Sequence, residues 1–247
     1  MRIKPVVQHY DDYTSEDFAV WRLLFNRQIN LLQQHASHYY LEALRQIGFN
    51  AATIPNFEKT NTRLRELTGW QLAVAPELVP QETFFALLAQ KIFPATCWLR
   101  TMEELDYLEE PDMFHDVFGH APLLANKAYA AFMEAFGKLA VKWHYEPERL
   151  QMLSRIYWFT IEFGLLQEQG QVKLFGAGIL SSIGETRHAL SNAPQKMKFD
   201  LEKMMTANYR TDILQEKFYI IDSFEQLCDA LPSIETYMEQ CTGIASS

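Results

Sequence analysis

Two histidines form the part of this sequence best suited to chemistry. His115 and His120 stand five residues apart, with Asp116 beside the first. Imidazole is a common metal ligand. Five residues turn an ideal α-helix by about 500°, which leaves the two side chains about 140° apart. The pair can share a metal only if the helix ends or distorts between them, as Gly119 and Pro122 would allow. Otherwise both are hydrogen-bonded histidines near a helix end.

Glu162 lies in a segment, residues 156–166, that is apolar or aromatic almost throughout. A helix that is apolar on every side is buried. A buried carboxylate must stay protonated, pair with a cation or bind a metal. Arg155 and Arg187 are candidate cations. The other partner is a metal shared with the histidine pair, since two histidines and a carboxylate form the facial triad of non-haem iron(II) oxygenases and can also hold catalytic zinc.

The composition indicates the class of protein and the compartment in which these residues work. The chain has 247 residues, 48% of them apolar and 21% charged, as in soluble globular proteins. A net charge of −9 without a dense basic block argues against nucleic acid and membranes as partners. No secretion signal is recognisable, and the cysteines Cys97, Cys228 and Cys241 are widely spaced, which fits reduced thiols. We therefore expect a cytoplasmic protein.

Hydrophobic periodicity predicts a mostly α protein with minor β structure. One long helix is expected over residues 18–47, broken near Ser37 and ended by Gly48. Pro147 is expected to open a helix that runs to Gln169. Further helices are predicted at 56–68, 81–92, 112–121 and 126–145, an extended segment at 93–100, and strands at 172–175 and 217–221.

Three stretches, in this order, resemble the catalytic domain of the pterin-dependent aromatic amino acid hydroxylases, above all bacterial phenylalanine hydroxylases. They are PDMFHDVFGHAPLL at 111–124, YWFTIEFG at 157–164 and FGAGILSSIGE at 175–185. The resemblance implies one catalytic domain over residues 1–247, mostly α with minor β, without a regulatory or tetramerisation domain. It also implies a monomer whose partners are an amino acid, O₂ and a pterin.

The same resemblance implies an iron(II)- and tetrahydropterin-dependent monooxygenase that converts L-phenylalanine to L-tyrosine. It makes His115, His120 and Glu162 the iron ligands. The residues implied to bind the substrate are Arg100, Asp112, Trp158, Gly178, Ser181 and Ser182. Those implied to bind the pterin are Val79, Gln81, Phe84, Asp116 and Tyr157.

Several of these residues also have a purely structural explanation. Core packing accounts equally well for Val79, Phe84 and Tyr157, and it is a strong alternative for Trp158. Capping of nearby backbone groups is the alternative for the two serines. For Arg100 the alternative is a surface ion pair with the acidic residues 103–116.

The sequence leaves more than one interpretation of the substrate and of the reaction class. Thr211 stands where the tyrosine-hydroxylating members of the family carry an acidic residue, so phenylalanine is favoured, with tryptophan as the alternative. A zinc hydrolase that uses two histidines and a glutamate is an alternative of another class, although the HExxH motif is absent. A helical protein that only binds a ligand is the third possibility.

Overall fold

The computed structural model describes residues 4–106 and 108–240, and most of them are helical. The α-helices in these ranges are α1 (Ser15–His35), α2 (His38–Gln46), α3 (Phe57–Leu67), α4 (Gln81–Leu88), α5 (Lys127–Val141), α6 (Pro147–Tyr157), α7 (Ala177–Ser181), α8 (Ile183–Leu190), α9 (Leu201–Thr206) and α10 (Phe224–Gln240). Within the same residues, none of the helices has the length and apolar character that crossing a membrane requires.

Two small sheets accompany the helices. Strands β1 (Gln71–Val74) and β2 (Ile92–Ala95) form a parallel pair. The other sheet has the strand order β4-β3-β6-β5, with β3 antiparallel to β4 and β6 parallel to both β3 and β5. Its strands are β3 (Leu165–Glu168), β4 (Gln171–Leu174), β5 (Gln195–Lys198) and β6 (Lys217–Ile221). The prediction of a mostly α fold with minor β structure is confirmed.

The long N-terminal helix breaks where the sequence indicates. Helix α1 ends at His35, Ala36 is extended, and the Ser37 hydroxyl accepts a hydrogen bond from the Tyr39 amide to cap α2. The Ser37 amide donates to the Leu174 carbonyl at 2.8 Å, so the break joins the helices to β4. A short polar side chain competes with the helical backbone for hydrogen bonds, which makes serine a natural helix start.

The prediction that the helix from Pro147 runs to Gln169 is wrong beyond Glu162. Helix α6 passes into a π-helical turn over Trp158–Glu162, and β3 follows almost at once. Gly164 lies between them with the Thr160 carbonyl and the Phe175 ring so close that no side chain would fit. Strands β1 and β5 were not predicted because neither has a run of buried apolar residues, and only pairing with β2 and β6 defines them.

Candidate functional site

A second π-helical turn, Phe114–His120, carries the two histidines. In a π-helix the hydrogen bonds join residues five apart, so those residues lie one above the other instead of on different faces. The His115 and His120 rings are accordingly 5.1 Å apart. Behind them the Phe114 and Phe118 rings stack at 4.5 Å in the core. The distortion that a shared metal requires is present, and the core holds it.

Glu162 ends the first-described π turn and faces the histidines. The Phe163 amide donates to the Trp158 carbonyl at 2.9 Å, five residues back. Gly176 packs against this end of the turn, where a Cβ atom would lie 2.5 Å from the Glu162 carbonyl oxygen. Only a glycine at this position lets the chain before α7 approach Glu162 so closely. This close packing holds the end of the π turn in place.

The three side chains converge on one point. Glu162 Oε1 lies 3.1 Å from His120 Nε2, and Oε2 lies 3.6 Å from His115 Nε2. One donor atom from each residue fits within 4.8 Å of the others. Arg155, a candidate cation for Glu162, instead donates to the Met205 carbonyl at 3.0 Å. The structure thus brings together the predicted ligand set.

Ser181 shows that this set suits a cation. Its hydroxyl donates to the Ala177 carbonyl at 2.7 Å, so it must accept from His115 Nδ1, which is 2.9 Å away. In the neutral ring the proton then sits on Nδ1, and the Nε2 lone pair faces the Glu162 carboxylate. Two lone pairs in contact repel each other unless a cation lies between them. Two imidazoles and a carboxylate fit iron(II) with open positions.

Charge and burial act in opposite directions on the carboxylate. Burial raises the pKa of Glu162, but His120 and His115, when their rings are protonated, and the Tyr157 hydroxyl outweigh it and leave the pKa below its usual range. Burial, with the nearby Glu162 charge, raises the pKa of Tyr157 well above its ordinary value. Glu162 is therefore ionised and Tyr157 is a neutral hydrogen-bond donor.

An aromatic cavity of about 230 Å³ opens in front of the three side chains. Its wall includes the predicted ligands, Trp158 and all five predicted pterin residues, namely Val79, Gln81, Phe84, Asp116 and Tyr157. The Phe84 and Tyr157 rings meet edge to face at 5.2 Å. Asp116 accepts from the Thr96 amide and hydroxyl at 2.8 and 2.9 Å, and burial raises its pKa.

Arg100 and Asp112 form a buried bidentate pair beside the cavity. The Arg100 Nε–Asp112 Oδ2 and Nη2–Oδ1 distances are both 2.9 Å. Asp112 has no exposed surface. Burial raises the pKa of Asp112, but Arg100 outweighs it and keeps the pKa low. The alternative of a surface ion pair for Arg100 is replaced by an internal pair, and neither Arg100 nor Asp112 lines the cavity, although Pro111 does.

The remaining predicted substrate residues lie behind the histidines. At Gly178 an added Cβ would lie 2.5 Å from the Phe163 ring, so this glycine permits close packing. The Ser182 hydroxyl accepts from the Glu185 amide and caps α8, as the structural alternative states. Sequence reasoning matched the segment 208–213 to a region that separates substrates but singled out Thr211 and not Tyr209, whose ring stacks on Trp158 at 4.4 Å and lines the cavity. The sequence feature that could have pointed to Tyr209 is that it is a lone aromatic residue in a polar, irregular segment.

Comparison with known proteins agrees with this geometry. Residues 5–244 match the family model described as biopterin-dependent aromatic amino acid hydroxylase. A phenylalanine-4-hydroxylase of Chromobacterium violaceum is 44% identical over 90% of this chain and 75% of the relative. Its crystal structure with bound oxidised Fe(III) gives a TM-score of 0.90 at 42% identity, covering 95% of this chain and 86% of that chain.

A further crystal structure of that enzyme holds iron(III) and 7,8-dihydrobiopterin, with a TM-score of 0.88 at 42% identity over 94% of this chain and 85% of that chain. The family model spans almost the whole chain, and the relative covers well over two thirds of it. Sequence, fold and ligand set therefore lead to one assignment: the chain belongs to the biopterin-dependent aromatic amino acid hydroxylases.

Proposed function

We propose that the chain hydroxylates L-phenylalanine to L-tyrosine, with O₂ as oxidant and tetrahydropterin as the source of two electrons. The observation that carries the proposal is the convergence of His115, His120 and Glu162 at the base of an aromatic cavity. The relatives named phenylalanine-4-hydroxylase support this substrate. The aromatic side chains that line the cavity with Trp158 suit a phenyl ring.

His115, His120 and Glu162 would hold iron(II) through the two Nε2 atoms and the carboxylate. When bound, iron and reduced pterin would supply the activation of O₂ and two electrons, so that one oxygen atom would enter the substrate ring and the other would leave as water. Ser181 keeps the His115 lone pair directed at the metal position through its contact with Nδ1. The protein itself then contributes by positioning the reactants and by excluding water from the cavity.

Arg100 is proposed to bind the substrate carboxylate. Three of its five N–H groups already point at Asp112 and the Leu105 carbonyl, which orients the guanidinium and leaves two donors for a ligand. Trp158 would form the wall against the ring. Gly178, Ser181 and Ser182 would frame the amino acid end from behind the histidines.

Phe84 and Tyr157 are proposed to pack against the pterin ring. Their edge-to-face contact presents aromatic surface at one side of the cavity. Val79, Gln81 and Asp116 line the same cavity. Val79 would add apolar contact to the pterin, and Gln81 and Asp116 would meet its polar edge. Gln81 donates to the Ser154 hydroxyl, which joins the start of α4 to α6 across the cavity mouth.

Tyrosine formation tests the proposal directly. The purified protein is loaded with iron(II), supplied with tetrahydropterin, O₂ and L-phenylalanine, and the products are separated by chromatography. We expect tyrosine, and none when iron or pterin is withheld. L-tryptophan is offered in parallel as a competing substrate. Absence of tyrosine from protein shown to contain iron would contradict the proposal.

We propose further that this one catalytic domain works as a monomer in the cytoplasm, without nucleic-acid or membrane partners. The net charge of −9 keeps copies of the chain apart. The thiols of Cys97 and Cys228 are free, as a reducing compartment favours. Light scattering after gel filtration should give 28.8 kDa, and twice that mass would contradict the monomer.

A further inference from the structure

The Trp158 wall of the cavity depends on a residue outside it. Trp158 lies on the π turn, with its ring stacked on Tyr209 at 4.4 Å and an interplanar angle of 16°. Its indole N–H points away from the cavity and donates to Gln215 Oε1 at 2.9 Å. This hydrogen bond restrains the indole plane because it leaves the ring no free rotation about its side-chain torsions.

Gln215 is a buried hub in an otherwise irregular segment. Only 5% of its surface is exposed, whereas Arg210, Thr211 and Asp212 of the same segment are exposed. Its side-chain amide donates to the Arg210 carbonyl at 2.8 Å and to the Ile213 carbonyl at 3.2 Å. One side chain therefore closes the loop on itself and ties it to Trp158.

The backbone of Gln215 is anchored as firmly as its side chain. Its amide donates to Glu185 Oε1 at 3.1 Å, and its carbonyl lies 3.0 Å from His188 Nε2. Both partners belong to α8, which begins at the serines behind the histidine pair. Helix α8 thus fixes the position from which the Gln215 side chain contacts the indole.

We propose that Gln215 is a positioning residue that sets the aromatic selectivity of the cavity by fixing Trp158 and the Tyr209 loop. The inference rests on the proposed function. A glutamine suits this place because it accepts one hydrogen bond and donates two within a single planar group. A larger substrate that displaced Trp158 would have to break its hydrogen bond to Gln215.

The test compares Gln215→Met, which keeps the length but removes the hydrogen bonds, with Gln195→Met, the same change at an exposed site on β5. For Q215M we expect KM for L-phenylalanine to rise about five- to tenfold. The kcat/KM ratio of phenylalanine to tryptophan should fall about as much, while kcat and iron content change less than twofold. Q195M should match the wild type. An unchanged KM and ratio in Q215M would overturn the proposal.

A second readout does not depend on turnover. The indole N–H signal of Trp158 in a ¹H–¹⁵N spectrum is identified by its loss in Trp158→Phe. In Q215M we expect this signal to shift and to exchange with solvent faster, while the other indole signals stay in place. If all indole signals move together, the substitution acts on the whole fold and the positioning role is wrong. Wild-type protein that forms no tyrosine contradicts the proposed function instead, and leaves this readout intact.

Should Q215M fail to fold, Gln215→Asn keeps the amide but withdraws it by one methylene. The same selective change at the Trp158 signal is expected, with a smaller rise in KM. A Q215N protein that folds and keeps both the wild-type signal and the wild-type selectivity would overturn the proposal.

Discussion

The two ends of the cavity are held by different means. At the metal end, His115, His120 and Glu162 lie on two π turns and point donor atoms at one another. At the end proposed to bind the substrate (the substrate end), by contrast, polar groups are already paired, Arg100 with Asp112 beside the cavity and Trp158 with Gln215. One end is completed only by a cation, whereas the other is preformed. Its geometry therefore does not depend on a ligand.

Loss of a ligand should abolish activity without affecting the substrate end. For Glu162→Gln we expect iron affinity to fall by more than about 100-fold, beyond the cost of removing a neighbouring hydrogen-bond partner. Tyrosine formation should disappear. Metal analysis and the chromatographic assay check both, with Glu202→Gln at an exposed position of α9 as control. An active E162Q protein with a full complement of iron would contradict the ligand assignment.

Removing one charge from the buried pair should damage the opposite end. Asp112→Asn leaves Arg100 without its counter-charge, and breaking such a pair costs about 3–5 kcal/mol of unfolding free energy. KM for phenylalanine should rise far more than the dissociation constant for iron. Denaturant unfolding and kinetics measure these effects. The control is Asp106→Asn, which removes the exposed Arg27–Asp106 pair of 2.7 Å and should cost under about 1 kcal/mol. Equal costs would show that burial is irrelevant here.

Glu185, the anchor of Gln215, makes the substrate end sensitive to pH. Burial, opposed in part by the Gln215 amide, raises the pKa of Glu185 from 4.5 to about 7. The folded protein resists ionisation that the unfolded chain accepts, so stability is lost as pH rises from about 4.5 to 7. Compared with Glu185→Gln, the wild type should lose about 3 kcal/mol across this window. Urea unfolding of both proteins at pH 5 and pH 8 measures the difference, and a constant difference would refute this.

Ser181 tests whether the two ends are separable. Its hydroxyl touches His115 Nδ1, while the adjacent Ser182 caps α8. For Ser181→Ala we expect iron affinity to fall about 10- to 100-fold, as for other partners of metal-bound histidine. Ser182→Ala should cost about 1 kcal/mol of stability with unchanged iron affinity. Iron titration and thermal unfolding compare the two, and identical iron affinities would contradict the role of Ser181.

The sequence predicted the residues of the metal end better than those of the substrate end, and the reason is physical. Residue type and burial made His115, His120 and Glu162 candidate ligands, because a carboxylate in an apolar segment needs a partner, and the resemblance to the family then selected them as the ligand set. The π turn itself was anticipated only as a distortion, since periodicity assumes α-helical rotation. Resemblance to the family, and not spacing, supplied Arg100 and Asp112.

The roles of Gln215 and Tyr209 could not be predicted from the sequence, for a different reason. Their segment has no period, and a buried glutamine there has the same local sequence as an exposed one. The bond that matters joins residues 57 positions apart, which a local pattern does not encode. Strands β1 and β5 were missed likewise, since pairing with β2 and β6 defines them.

The order of the sheet strands has a consequence for synthesis of the chain. Strand β3 follows Glu162 directly, yet one neighbour, β6, begins only at Lys217. A ribosome therefore releases all three predicted metal ligands well before Gln215 and β6 appear. A domain folds as a unit, and pairings between residues far apart in the chain form slowly. The nascent chain thus carries its predicted metal ligands before it can complete the sheet and the contact of Gln215 with Trp158.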